Sequence, residues 1–288
     1  MNIQWYPGHM TKTRRMIAEQ IKNVDAVCEI LDARIPISSR NPDADELTAG
    51  KPRLVVLNRV DQAAPEATRQ WAAHVRAKGY AVLESDARGG QGTAKFAGAV
   101  RELLADKLKA YAEKGMAGRV VRVMILGIPN VGKSTFINKV AGRKTAKTED
   151  RPGVTRSKQW VPIDKGLELL DTPGILWPKF EDQSVGLNLA YTGAVKDDIL
   201  DTETLGCHLM AYLGDKYPEA LKTGYKLASL PEREENDIAY GYRLLEAAGR
   251  KRGFLISGGE VDTERMAKIL LDEFRAGKLG RFTLELPE

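Results

Sequence analysis

Residues 127–135, Gly127-Ile128-Pro129-Asn130-Val131-Gly132-Lys133-Ser134-Thr135, space two glycines, a lysine and a hydroxyl as G-x-x-x-x-G-K-S. That spacing suits a polyphosphate. The glycines let successive backbone N–H groups, through Asn130, Val131, Gly132 and on to Thr135, curve around a phosphate, and a helix start adds partial positive charge. Lys133 is placed to neutralise the β and γ oxygens, and the Ser134 hydroxyl to ligate Mg²⁺. The flanks agree: the apolar run "RVMIL" precedes the loop and "STFINKVAG" reads as the helix it opens.

Two further segments extend this chemistry. Asp171-Thr172-Pro173-Gly174 closes the apolar run "LELL"; its aspartate would hold Mg²⁺ through water and the Gly174 N–H would meet a γ-phosphate. Alone, the tetrapeptide is better explained by an acidic turn. Between it and the phosphate loop lies "RPGVTR", where Thr155 offers a hydroxyl and a carbonyl to Mg²⁺ and the γ-phosphate. Upstream, "RLVVLNRVD" ends an apolar strand in Asn58-x-x-Asp61. A carboxylate there can accept from guanine N1–H and its 2-amino group, whereas adenine leaves it unpaired, a discrimination of about 10⁴. Asn58 would tie neighbouring loops together and the aliphatic stem of Arg59 would cover the base. "ESDARGG" follows the next strand and offers backbone N–H groups around Ser85, Asp86 and Ala87 to guanine O6. GTP or GDP with Mg²⁺ is the ligand this set predicts.

These residues need a scaffold that delivers them from strand ends. Apolar runs at "DAVCEILDARI", "RLVVL", "YAVLESDA", "RVVRVMILG", "KQWVPI" and "LELLD" alternate with helical patterns at 10–23, "EATRQWAAHVRAKG" and "TAKFAGAVRELLADKLKAYAEKG". Such alternation predicts an α/β, doubly wound and mainly parallel sheet. The order is unusual: base loops come first, then the phosphate loop, Thr155 and the D-T-P-G turn. This is a circular permutation of a P-loop GTPase domain, feasible because domain termini often lie close together. Beyond about residue 177 the pattern turns helical, which predicts a permuted domain over 1–180 and a smaller all-α domain over 181–288. The chain leaving D-T-P-G then runs into the helical part, so γ-phosphate contacts at Thr155 and Gly174 are expected to bias it.

The 288 residues carry a net charge of +5, with 43% apolar and 29% charged residues, a globular composition. No apolar run reaches the roughly 18 residues of a membrane span. "MNIQWYPGHMTKTRR" lacks a signal-peptide core. Two cysteines make no disulfide framework. A cytoplasmic protein is expected, with neither membrane nor DNA as a partner. Between Asn138 and Trp160 seven Lys/Arg face Glu149 and Asp150, and further cations cluster at Lys12, Arg14, Arg15 and Lys22 and at Arg250, Lys251 and Arg252. Solvated surface explains each cluster alone; together they point towards a polyanion such as RNA. Lys268, Arg275, Lys278 and Arg281 in and after the last helix are candidates to meet phosphates, although acidic residues intersperse them.

With "WYPGHM", "DARIPISSRNP", the early base loop, "GIPNVGKST", "DRPGVT", "LLDTPGILWPKFED" and "RGFLISGGEVD…FRAGKLGRF" in hand, the whole chain resembles the ribosome biogenesis GTPase A (YlqF/RbgA) family of circularly permuted GTPases. Arg59 departs from the lysine usual there. The resemblance implies a GTPase assisting a late step of large (50S) subunit assembly, associated with the subunit precursor through ribosomal RNA contacts of the helical domain. It also points to His9 of "PGHM" as the catalytic group. The residue after D-T-P-G, where many GTPases keep a water-orienting glutamine, is Ile175, which cannot hydrogen-bond. A histidine with a pKa of about 6.5 can accept from water instead. Likeness to potassium-stimulated GTPases makes the Asn130 side chain a candidate K⁺ ligand, with plain loop capping as the alternative. Slow turnover that the ribosomal subunit stimulates is expected. Two other readings stay open: a GTP-gated RNA or protein scaffold, and a GTPase acting on another structured RNA.

Overall fold

The computed structural model describes residue 3 and residues 8–48, 50–142, 159–177, 180 and 182–287; for His9 and Gln159 it describes the backbone alone. The chain forms two compact units. One comprises Gln4–Glu181 with Phe282–Glu288, the other Met1–Ile3 with Asp182–Arg281.

In the first unit the elements run α1 (His9–Gln20), β1 (Ala26–Asp32), α2 (Ala44–Thr48), β2 (Arg53–Asn58), α3 (Pro65–Ala77), β3 (Ala81–Ser85), α4 (Phe96–Leu103), α5 (Ala105–Glu113), β4 (Val121–Leu126), α6 (Lys133–Val140), β5 (Gln159–Asp164) and β6 (Leu167–Asp171). The strands make one sheet in the order β3-β2-β1-β4-β6-β5. All neighbours are parallel except the edge pair β5/β6. β1 and β2 are buried at every position, as a parallel sheet covered on both faces requires. The chain steps outward from β1 through β2 to β3, then restarts at β4 and steps the other way. The strand ends beside the β1/β4 switch point form the crevice where open α/β sheets bind ligands.

Two readings of the sequence need correction. The stretch 93–115 is not one helix: it is kinked at Leu104, between α4 and α5, although Leu104 and Leu108 still donate to Val100 and Leu104. α4 buries Phe96 and Val100 against the sheet, whereas α5 buries no residue, so the two segments answer to different surroundings. The tail Phe282–Glu288 also groups with the sheet unit rather than the helical one.

The second unit holds α7 (Gln183–Tyr191), α8 (Thr202–Lys216), α9 (Pro218–Tyr225), α10 (Asp237–Arg252) and α11 (Thr263–Arg275). Four of these starts are set by a side-chain cap: Asp182 accepts from Ser184 N, Asp201 from Thr204 N, Asn236 from Ile238 and Ala239 N, and Asp262 from Arg265 N. Each cap contributes about 1 kcal/mol. α9 starts with Pro218 instead, a residue preorganised for the first turn. On α11 Met266, Leu270 and Phe274 are buried, making this apolar face core.

Candidate functional site

β4 ends in the phosphate loop and α6 begins at Lys133. Gly132 has φ +96°, and a Cβ there would strike the Asn58 side-chain amide, so both backbone conformation and packing exclude other residues. Gly174 meets the same loop from the far side: a Cβ on it would stand 2.6 Å from Pro129 N. The Thr172 hydroxyl donates to Ile125 O at 2.5 Å and Ile175 N–H donates to Gly127 O at 3.3 Å. Thus the turn after β6 and the loop after β4 are pressed together, with the Ile175 side chain buried.

The base loop after β2 is joined to the phosphate loop from the other direction. Asn58 Nδ2 donates to Val131 O at 2.8 Å, and Arg59 Nη2 donates to Asn130 O at 2.7 Å. Arg59 and Asn130 both take left-handed backbones, φ 63° and 57°, which turn these groups towards each other. The Asn58 side-chain oxygen accepts from Ala87 N–H at 3.1 Å, and Val60 N–H donates to Ser85 O at 3.2 Å. Three loops from β2, β3 and β4 therefore meet through Asn58 and its neighbours. Asp61 remains exposed. Partial desolvation, then the nearby Asp86 carboxylate, raises its pKa. The Asp86 and Ala87 N–H groups already serve Gln91 O and Asn58, so a base oxygen reaching this loop would share a donor with the protein.

Sequence reasoning missed the support beneath this loop. Asp32, at the end of β1, accepts from Arg34 Nε at 2.9 Å and Nη2 at 2.7 Å, with Arg59 Nε 3.6 Å away. Both Asp32 and Arg34 are almost wholly buried. Burial opposes ionisation of Asp32, but Arg34 and then Arg59 outweigh it and hold the carboxyl below its ordinary range. The signal lay in "ILDAR": a mainly apolar strand beside the switch point ending in an Asp-x-Arg pair.

At the phosphate end, Lys133 is buried and its ammonium donates to Gly127 O at 3.1 Å and Ile128 O at 2.6 Å. Burial lowers its pKa to about 8 despite Asp171. Asp171 is buried too, and burial raises it to about 6 against the pull of Lys133. Its Oδ1 is shielded from solvent and has no hydrogen-bond partner among the described residues. A shielded, unpaired carboxylate oxygen facing a loop lysine fits a site completed by a cation and phosphates. Ser134 and Thr135 lie in the first turn of α6. Thr155 and the His9 side chain lie outside the described residues, as do most cations of the 139–158 cluster.

Other candidate cations are engaged within the protein. Arg14 pairs with Asp43 and Glu46. Arg275 chelates Asp197 and donates to Ala190 O and Tyr191 O, which makes it a clamp of the helical unit rather than a phosphate contact. Lys251, Lys268 and Lys278 are exposed, with Lys268 paired to Glu264. His74 packs edge-on against Trp71.

Comparison with known proteins agrees with this geometry. A family model described as "50S ribosome-binding GTPase" matches residues 122–217. That match starts at the phosphate-loop strand and leaves out Asn58 and Asp61, as expected when the base-reading strands have moved to the front of the chain. Ribosome biogenesis GTPase A of Bacillus cereus is 49% identical over the full chain and 95% of its own length. The Thermotoga maritima protein of the same name is 28% identical over 99% of this chain and 95% of its own. The solved GDP-bound structure of T. maritima YlqF superposes with a TM-score of 0.63 at 26% identity, covering 95% of this chain and 99% of that one. Descent and architecture agree: the chain belongs to the ribosome biogenesis GTPase A family and is a GTPase, a circularly permuted P-loop enzyme that binds guanine nucleotides.

Proposed function

We propose that this GTPase is an assembly factor for the large ribosomal subunit, docking on the precursor and its ribosomal RNA when GTP is bound and leaving after hydrolysis. The names of its relatives support the ribosomal setting. The observation that carries nucleotide control is the joining of base loop, phosphate loop and D-T-P-G turn by direct contacts: whatever occupies one loop is felt by the others. Within this reading Asp61 accepts from the guanine N1–H and 2-amino group, the Arg59 stem covers the ring, and the loop at Ser85, Asp86 and Ala87 faces O6. Backbone N–H groups of residues 130–135 and the Lys133 ammonium hold the phosphates. Ser134, Thr155 and, through water, Asp171 would hold Mg²⁺, which supplies charge compensation at the β and γ oxygens. Asn130 would add an oxygen to a K⁺ beside them. Gly174 N–H senses the γ-phosphate, and the chain beyond it leads to the helical unit, whose exposed lysines meet RNA.

With Ile175 buried, no side chain at that position can orient water. His9 takes that role in this reading, and turnover stays slow until the partner supplies help. The test is co-sedimentation with large-subunit precursors. Binding should be strong with a non-hydrolysable GTP analogue, weak with GDP, and should fall steeply with added salt. Equal binding in both nucleotide states would overturn the reading.

A further inference from the structure

The last residues of the chain have no part in the site described so far, yet they lie on its base-recognition side. Phe282 N–H donates to Gln62 O at 2.8 Å, and Ala64 N–H donates to Thr283 Oγ1 at 3.1 Å. Leu284 N–H donates to Arg34 O at 2.8 Å, and the Thr283 hydroxyl reaches Ala33 O at 3.4 Å. The Glu285 carboxylate accepts from Ile37 N–H at 2.6 Å, from Ser38 N–H at 3.1 Å and from the Ser38 hydroxyl. Trp71 Nε1–H donates to Glu285 O at 2.8 Å. Phe282 and Thr283 are buried.

Residues 282–285 thus stitch residues 62–64 to residues 33–38. Gln62 directly follows Asp61. Arg34 grips Asp32, which in turn faces Arg59. On its N-terminal side the base loop is held by Asn58 and Arg59 to the phosphate loop; on its C-terminal side the tail holds it. A loop fixed at both ends presents its carboxylate in one direction, whereas a loop fixed at one end must be ordered by the ligand at a cost in affinity.

We propose that residues 282–285 are a positioning strap for guanine recognition: by clamping 62–64 against 33–38 they aim the Asp61 carboxylate and so set the preference for guanine. This rests on the reading of Asp61 as the base-reading residue. Because the strap directly continues the helical unit, whatever pulls on the chain after residue 281 acts on the base loop.

The test compares the full chain with a truncation after residue 281 and with the variants Thr283→Val and Glu285→Ala. Dissociation constants are measured for GDP and IDP. Hypoxanthine lacks the 2-amino group, so the GDP-to-IDP preference reports one of the two bonds to Asp61. Truncation should weaken GDP binding about tenfold or more and reduce that preference several-fold, with Glu285→Ala smaller in the same direction. If the truncated chain does not fold, the two point variants carry the test. An unchanged preference, including a parallel weakening of both nucleotides, would overturn the strap. Asp61→Asn in the intact chain tests the underlying reading separately, since an amide can donate to the 2-oxo group of xanthine. Failure to shift preference towards XDP overturns that reading; a shift with unaltered preference in the tail variants overturns the strap alone.

Discussion

At the scale of single residues, the site depends on buried polar groups whose partners come from other loops. Asn58 is the clearest case. Its amide serves Val131 O and Ala87 N in two directions, so losing it would orphan groups on two loops, at about 1–3 kcal/mol each. Arg59 joins loops in the same way: its fork reaches Asn130 O while Asp32 faces its Nε. Asp171 and Lys133 make a pH prediction. Asp171, raised to about 6, is protonated below that value and must ionise before it can help hold Mg²⁺. Lys133, lowered to about 8, loses its proton above that value and must regain it to face phosphate. Affinity for Mg²⁺–GDP should therefore peak between these values and fall on the acid side by up to about tenfold per unit. Isothermal titration across the range, with Asp171→Asn beside the natural protein, checks this. Titration of the nucleotide itself is common to both proteins, so the part of the acid limb that the substitution removes belongs to Asp171. An identical acid limb in both would refute the assignment.

At the scale of elements, strand ends and helix starts do the positioning. Parallel strands buried on both faces leave only their ends open to ligand, which is why Asn58, Ser85, Asp171 and the phosphate loop all sit where strands finish. In the helical unit, α8 and α10 cross where Gly241 faces the backbone of Cys207, and a Cβ at residue 241 would run into that carbonyl. In an open helix, Gly→Ala gains about 1 kcal/mol. Here overpacking, about 1–3 kcal/mol, acts against that gain, and because the obstacle is backbone it should win. Gly241→Ala is predicted to destabilise the helical unit by about 1–2 kcal/mol, read from urea unfolding followed by circular dichroism. A stabilised variant would show that the helices separate without penalty.

At the scale of the whole molecule, permutation changes what each end of the site is connected to. The helical unit is inserted between residue 181, soon after the D-T-P-G turn, and residue 282, which begins the tail beside Asp61. In the proposed reading, one connection leads to the γ-phosphate side and the other to the base side. An enzyme wired this way can report its nucleotide to a partner, and the partner can act back on the site. Under the proposed function, catalysis lies partly outside the chain. Subunit-stimulated GTP turnover by the natural protein should drop at least tenfold in His9→Ala, with GTP affinity nearly intact. It should also slow when KCl is replaced by NaCl. Single-turnover assays of both proteins in both salts test the two roles independently: unimpaired turnover in His9→Ala removes that residue from the mechanism, and equal rates in the two salts remove K⁺.

Much of this is legible in the order and type of the residues. The phosphate loop and D-T-P-G carry their chemistry in residue type and local spacing, and a strand–loop–helix context can be read from periodicity alone. Their order along the chain suffices to reveal the permutation. The helical character of residues beyond 181 is equally plain from local pattern, although α9 is too short to announce itself. What local pattern cannot supply are contacts between loops far apart in sequence: Arg59 on Asn130, Asp32 beneath Arg59, and the return of residues 282–285 to the base loop. A sequence determines which groups are available and which strands and helices carry them. Which carbonyl an arginine finds, and where a short tail comes to rest, follow from packing that no nearest-neighbour spacing encodes. Only the assembled sheet decided them.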